Sequence, residues 1–232
     1  MTSIEAAEVR VDVWIWPLAV SAQERERLRQ SLSADECARA DRFVFVEDRH
    51  SFVVARGHMR RLLGEATGVA PDAVPLIYGP SGKPLLAAGP HFNLSHSGGL
   101  AALAICRECN VGIDIEKVRP VERDIAGRFF SARENEALDA VEGDRQMAFF
   151  RCWTRKEAVL KALGCGLNRD TRTFSVAIDP GVPGQRLVAA GVEPDPCADR
   201  AWALFDLKPG AGFAGAVAIK CGDRNPRIVV AT

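Results

Sequence analysis

Asp114 and Glu116 alternate with Ile113 and Ile115 in the stretch Val111-Gly-Ile-Asp-Ile-Glu116. Successive side chains of a β-strand point to opposite faces, so the two carboxylates share one face and the isoleucines the other. Two residues of rise put the carboxylates about 7 Å apart or less. At that distance they repel unless protons or a cation sit between them. Oxygen donors of this kind suit a hard ion such as magnesium better than zinc. Read alone, the same pattern also describes a half-exposed strand with its acidic residues turned to water.

Three other stretches carry candidate chemistry. Glu157 and Lys161 lie four apart in a segment, Gln146 to Leu163, whose Phe149, Trp153, Val159, Leu160 and Leu163 predict a helix closed by Gly164-Cys-Gly166. Their simplest reading is an exposed ion pair worth about 0.3–0.5 kcal/mol. Asn93-Leu-Ser-His-Ser-Gly-Gly99 reads as a loop of small residues whose backbone N–H groups could approach an anion, with His96 as an added donor. Gly79-Pro-Ser-Gly-Lys-Pro84 reads as a turn with Lys83 at its tip. Its glycine spacing is too short for a Walker A loop, and Pro84 stands where that motif needs Ser or Thr. A plain hairpin turn explains it equally well.

The elements that must hold these residues are both helical and extended. Val11 to Trp16 alternates and ends at Pro17, a strand. Ser21 to Leu32 predicts a helix. Ser33-Ala-Asp-Glu36 and Ser131-Ala-Arg-Glu134 are capping boxes, opening helices that run toward Phe43 and Val141. Glu47 to Gly64 predicts a longer helix closed by Gly64. Val74 to Tyr78, Phe92 to Leu94, Leu100 to Ile105, Thr173 to Ile178, Trp202 to Leu207 and Phe213 to Ile219 predict strands, Glu122 to Phe130 a helix, and residues 180–200 a loop. Arg56-Gly-His-Met-Arg-Arg-Leu-Leu-Gly64 and Lys156-Glu-Ala-Val-Leu-Lys-Ala-Leu-Gly164 match in helical pattern, which suggests two similar α+β halves.

Composition bounds the function. At 232 residues and 47% hydrophobic, the chain can bury a substantial core. Thirty basic and thirty acidic residues cancel, so no global field draws it to nucleic acid or a membrane surface. The N-terminus lacks a signal-peptide pattern, and no apolar run approaches the roughly 18 residues of a membrane span. A cytoplasmic protein with reduced cysteines is expected. Cys106 and Cys109 form a C-x-x-C near His91 and His96, but no second such pair accompanies them, so they read as structural rather than as a zinc site.

Gly82-Lys-Pro84, Phe92-Asn-Leu-Ser-His-Ser-Gly98, Val111-Gly-Ile-Asp-Ile-Glu-Lys117, Phe129-Phe-Ser-Ala-Arg-Glu134 and Trp153-Thr-Arg-Lys-Glu-Ala-Val-Leu-Lys-Ala-Leu-Gly164, in this order and spacing, resemble the Sfp-type 4′-phosphopantetheinyl transferases. The resemblance covers residues 31 to 167, roughly, and implies an α+β fold of two pseudo-repeated halves about a pseudo-twofold axis, with the active site between them. Residues 1–110 would supply the coenzyme A nucleotide contacts, and 111–232 the metal site and catalytic helix. It implies transfer of the phosphopantetheine arm of coenzyme A to a serine of an apo acyl, peptidyl or aryl carrier protein, releasing adenosine 3′,5′-bisphosphate, by a monomer that binds neither nucleic acid nor membrane.

By the same resemblance Asp114, Glu116 and Glu157 hold magnesium (or manganese), with Glu134 near the metal's water shell. Gly82, Lys83, Pro84, Ser95, His96 and Lys161 hold the nucleotide and its phosphates, helped by Arg39. Glu157, Lys161 and Asp114 form the catalytic set, with Glu157 as base for the carrier serine and Lys161 offsetting charge on the leaving phosphate. Glu36 departs from the family: it stands where many members carry a basic residue, one turn before Arg39, which leaves open what holds the 3′-phosphate. Two rival readings are a magnesium-dependent phosphodiester enzyme such as a nuclease, opposed by the absent basic stripe, and a non-catalytic binding module, opposed by the intact set Asp114, Glu116, Glu157 and Lys161.

Overall fold

In a computed structural model, residues 8–122, 124–164, 169–179, 202–222 and 224–231 are described. The predicted loop over 180–200 and the Cys165-Gly166 end of the last helix lie outside them. Strand β1 (Glu8–Pro17) alternates Val9, Val11 and Val13 with Trp14 and Trp16, and both faces are covered. It pairs antiparallel with β5 (Leu100–Cys106), which pairs antiparallel with β4 (His91–Ser97). On its other edge it pairs parallel with β9 (Asn225–Ala231), giving the order β4-β5-β1-β9. A second antiparallel sheet has the order β6-β8-β7, from β6 (Asn110–Lys117), β7 (Trp202–Leu207) and β8 (Phe213–Lys220). A small hairpin joins β2 (Leu76–Tyr78) to β3 (Pro84–Leu86).

The two sheets bury a shared core of Val9, Val11, Val13, Ala102 and Ala104 against Val111, Ile113, Ile115, Val217 and Ile219. Outside the first sheet lies α3 (Val46–Thr67), its Val53, Met59 and Leu63 packed with Trp16, Phe92 and Leu103. Outside the second lies α6 (Arg145–Leu163), its Phe149, Val159 and Leu160 packed with Trp202, Leu204, Ala216 and Ala218. The result is an α+β fold of two similar halves, layered helix, sheet, sheet, helix. No helix among the described residues is long and apolar enough to cross a membrane.

The repeat shows in how the short helices are tied down. Besides α1 (Ala22–Arg29), the first half has α2 (Ala34–Ala40), opened by the Ser33/Glu36 capping box. The second half has α4 (Ile125–Phe129) and α5 (Ala132–Asp139), the latter opened by the Ser131/Glu134 box. Each capping glutamate also reaches the long helix. Buried Glu36 accepts from Arg56 Nε at 2.8 Å and from Arg60, and buried Glu134 accepts from Lys156 Nζ at 2.6 and 2.8 Å. Arg56 and Lys156 hold equivalent places in the matching helical segments. Removing one partner of such a buried pair costs about 3–5 kcal/mol, because the other charge is stranded.

Several boundaries differ from the expectation. Helix α2 stops at Ala40, and α3 runs past Gly64 to Thr67, capped by Gly68 in the left-handed region at φ 75°. Thr173 to Ile178 is not a strand but a 3-10 turn (Thr171–Thr173) and an extended segment whose backbone is satisfied by side chains: Val176 N–H donates to Glu134 Oε1, while Phe174, Ala177 and Ile178 carbonyls accept from Lys156, Arg155 and Arg151. The strand expected over Phe92 to Leu94 runs on as β4 through Ser97, with only Gly98 and Gly99 turning. Strand β9 was not expected, since Pro226 weakens a strand pattern; its place at a sheet edge accommodates the proline.

Gly112 sets the distance between α6 and β6. A Cβ there would stand 2.0 Å from Ala158 O and 2.5 Å from Ala162 N, both helix backbone that cannot rotate away. Gly112→Ala should therefore destabilise the fold by at least about 2 kcal/mol. Gly127→Ala, in helix α4 with open space around it, should be neutral or stabilising. Urea denaturation of both variants checks the contrast.

Candidate active site

Strand β6 pairs with β8 on one edge only. Its other edge faces β4, and there side chains replace the backbone ladder. Asn93 Oδ1 accepts from Ile113 N–H at 2.9 Å, Ser95 Oγ from Ile115 N–H at 3.3 Å, and Ser97 Oγ from Lys117 N–H at 3.2 Å. Each serine then uses its own proton on a carboxylate: Ser95 Oγ donates to Asp114 Oδ1 at 2.9 Å, and Ser97 Oγ to Glu116 Oε2 at 2.6 Å. A hydroxyl has one proton and two acceptor sites, so this double use is fully satisfied. The seam thus holds the two halves together and aims the two acids.

Helix α6 closes on this seam from the other side. The close approach allowed by Gly112 brings Lys161 Nζ to 2.6 Å from Asp114 Oδ1 and 3.1 Å from Ser95 Oγ. One turn earlier, Glu157 is half-buried near the same charges. Its carboxyl is pushed above the usual range by burial, then by the charge of Asp114, with Lys161 pulling the other way and Glu116 adding to the rise. Burial raises Asp114 as well, against the pull of Lys161 and Ser95. Of these three carboxylates, among the described residues, Asp114 pairs with Lys161 at 2.6 Å and Glu116 with the exposed Arg119 at 3.2 Å.

Among the described residues, Asp114 Oδ2 is buried with no hydrogen-bond partner. An orphaned carboxylate oxygen beside two further acids is what a hard divalent cation would satisfy, and the all-oxygen donor set suits magnesium. As placed, no three His, Cys, Asp or Glu side chains among the described residues are gathered tightly enough to hold an ion. Asp114, Glu116 and Glu157 fit such an ion in chemistry; Glu116 and Glu157 would have to close on Asp114.

Against the seam lies a cavity of about 570 Å³. The alternation of β4 turns Leu94 and His96 into it, on the α3 side, while Asn93 and Ser95 point to β6. Arg39, Arg56 and His96 supply basic groups, and Phe43, Phe52 and Tyr78 supply aromatic walls. Arg39 stacks over Phe52 with its guanidinium carbon 5.2 Å from the ring centroid, and Arg56 donates to Tyr78 Oη at 2.7 Å. Burial lowers the His96 pKa; Lys161 lowers it further and Glu116 opposes, so this end of the cavity feels the seam. Ser97 belongs to both, lining the cavity while donating to Glu116.

Of the expected site residues, Asp114, Glu116, Glu157 and Lys161 come together at the seam, and Arg39, Gly82, Pro84 and His96 line the cavity. Three do not sit as expected. Ser95 is committed to Asp114 and the β6 backbone. Lys83 turns away from the cavity to donate to Val111 O and Lys161 O, and burial with the like charge of Lys161 draws its pKa down to about 8. Glu134 is 1% exposed, and its oxygens accept from Ser131 N–H, Val176 N–H and Lys156. Unexpected members are Asn93, Ser97, Arg56 and Tyr78. The alternation Asn-x-Ser-x-Ser was the available signal for the first two. Glu36, the departure from the family, is turned inward to Arg56 and Arg60 rather than toward the cavity.

Comparison with known proteins bears on the family of the chain. A family model described as the 4′-phosphopantetheinyl transferase superfamily matches residues 110–204, and one described as 4′-phosphopantetheinyl transferase, N-terminal, matches residues 19–108. The 4′-phosphopantetheinyl transferase HetI of Nostoc sp. is 38% identical over 217 residues, covering 90% of this chain and 87% of that protein. The 4′-phosphopantetheinyl transferase Sfp of Bacillus subtilis is 30% identical over 198 residues, covering 84% and 86%. This chain belongs to the 4′-phosphopantetheinyl transferase superfamily.

Proposed function

We propose that this transferase moves the phosphopantetheine arm of coenzyme A onto a serine of an apo carrier protein, in a magnesium-dependent reaction that releases adenosine 3′,5′-bisphosphate. The observation that supports the reading is the junction itself: an aromatic-walled cavity lined by Arg39, Arg56, His96 and one acid, Asp48, shares Ser97 with the seam that carries Asp114, Glu116 and Lys161. A purine nucleotide with an extra phosphate fits aromatic walls and several cations, and its pyrophosphate would then reach the seam. On this reading residues 1–110 supply the nucleotide contacts and 111–232 the metal ligands and catalytic helix. One chain supplies both walls, so a monomer suffices.

Arg39 and His96 would hold nucleotide phosphates, with Arg56, fixed by Glu36 from behind, on the cavity wall. Asp114, Glu116 and Glu157 would hold the magnesium ion, which supplies charge neutralisation at the pyrophosphate. Lys161, 2.6 Å from Asp114, would offset charge on the departing phosphate oxygen. Glu157 takes the proton of the incoming carrier serine.

Incubation with coenzyme A, magnesium and apo acyl, peptidyl and aryl carrier proteins tests the function. The intact mass of at least one carrier should rise by one phosphopantetheine, with equimolar adenosine 3′,5′-bisphosphate released; unchanged carriers under all conditions would refute the reading.

Glu157→Gln should lower turnover by at least about 10²-fold, the scale of a lost general base. A base must be deprotonated, so wild-type turnover should fall as pH drops through the Glu157 pKa. This acid limb should be absent from the Glu157→Gln profile. Arg39→Ala should instead raise the Michaelis constant for coenzyme A at little change in turnover. Steady-state kinetics on the two variants separates the roles.

A further inference from the structure

Lys83 has no part in the site as described, yet its neighbours do. Gly82 and Pro84 on either side of it line the cavity, while the Lys83 side chain crosses to the opposite half. Its Nζ donates to Lys161 O at 2.5 Å and to Val111 O at 3.3 Å. Lys161 O is among the last carbonyls of α6 and accepts from Gly164 N–H at 3.2 Å as well, and a cation is favoured at that end by the helix dipole. The side chain of the same Lys161 reaches Asp114 and Ser95. The turn that presents Lys83 is defined: Gly79 N–H donates to Lys83 O at 2.9 Å, Gly82 N–H to Gly79 O at 2.9 Å, and Gly82 takes φ 75°. One hairpin therefore borders the cavity and grips the helix that carries the proposed catalytic ammonium.

We propose that Lys83 is a positioning residue that caps the C-terminal turn of α6 and so couples nucleotide occupancy of the cavity to the placement of Lys161 against Asp114. The proposal rests on the functional reading above and assigns Lys83 no contact with substrate. Its loss should slow the chemistry while leaving nucleotide affinity nearly intact, the reverse of what a phosphate contact would show.

The test compares wild type, Lys83→Met, which keeps the stem and removes the donors, and Lys83→Arg, which restores them. Transfer kinetics with coenzyme A varied is one readout. The other is amide hydrogen exchange in the last turn of α6, with and without adenosine 3′,5′-bisphosphate. Lys83→Met should lose turnover by about 10- to 10²-fold, the scale of a misplaced catalytic group. Its Michaelis constant for coenzyme A should change by less than about threefold, and Lys83→Arg should recover most of the rate. The nucleotide should slow exchange in the last turn of α6 in wild type but not in Lys83→Met, with the last turn of α3 unchanged in both. A large rise in the Michaelis constant at unchanged turnover would make Lys83 a nucleotide contact and overturn the proposal. So would kinetics and exchange indistinguishable from wild type. A wild-type protein that neither transfers nor binds the nucleotide would overturn the functional reading and this proposal with it.

Discussion

The bare edge of β6 is the constraint on which the rest of the structure depends. A strand paired on one side only leaves a row of N–H groups that cannot be buried unsatisfied. Here the row is met by Asn93, Ser95 and Ser97 of β4 rather than by another backbone. The serine side chains that meet it carry protons of their own. The two serines spend those protons on Asp114 and Glu116. The contact that joins the halves thereby also orients the acids, and a substitution at Ser95 would disturb both at once.

Close packing on the opposite face completes the arrangement. Gly112 lets the backbone of α6 rest almost on the strand, which places Lys161 within hydrogen-bond reach of Asp114. The helix is braced elsewhere by buried pairs that take no part in the seam. Lys156 is held by Glu134, and Arg155 is held by Asp206 of β7 and the carbonyl of Ala177. This division of labour explains why one helix carries buried cations serving the fold beside a half-exposed one available for chemistry.

The acidic strand was legible in the sequence because a period of two is a local steric property, independent of what surrounds it. The capping boxes at Ser33 and Ser131 were legible for the same reason. The second use of their glutamates, as partners for Arg56, Arg60 and Lys156, depends on contacts some twenty residues away and left no local mark. Ser95 to Ser97 read as the start of a turn because small polar residues favour turns, and the neighbouring β6 edge gives them reason to continue the strand. Lys83 was read as a loop-tip cation available to a ligand, whereas its partners are carbonyls 28 and 78 residues further along the chain. Strand β9 pairs with the start of the chain in parallel, a long-range contact that its own Pro226 and Arg227 do not announce.

The account turns on the seam being a cation site completed by Asp114, Glu116 and Glu157. Manganese is a paramagnetic stand-in for magnesium, and its position can be read from the broadening of backbone amide resonances. In the presence of adenosine 3′,5′-bisphosphate, titrated manganese should saturate at one ion per chain, with broadening centred on the amides of Ser95, Ser97, Asp114, Glu116 and Glu157, and Asp114→Asn should abolish it. Broadening centred away from β4, β6 and α6, or broadening there that survives Asp114→Asn unchanged, would contradict the account.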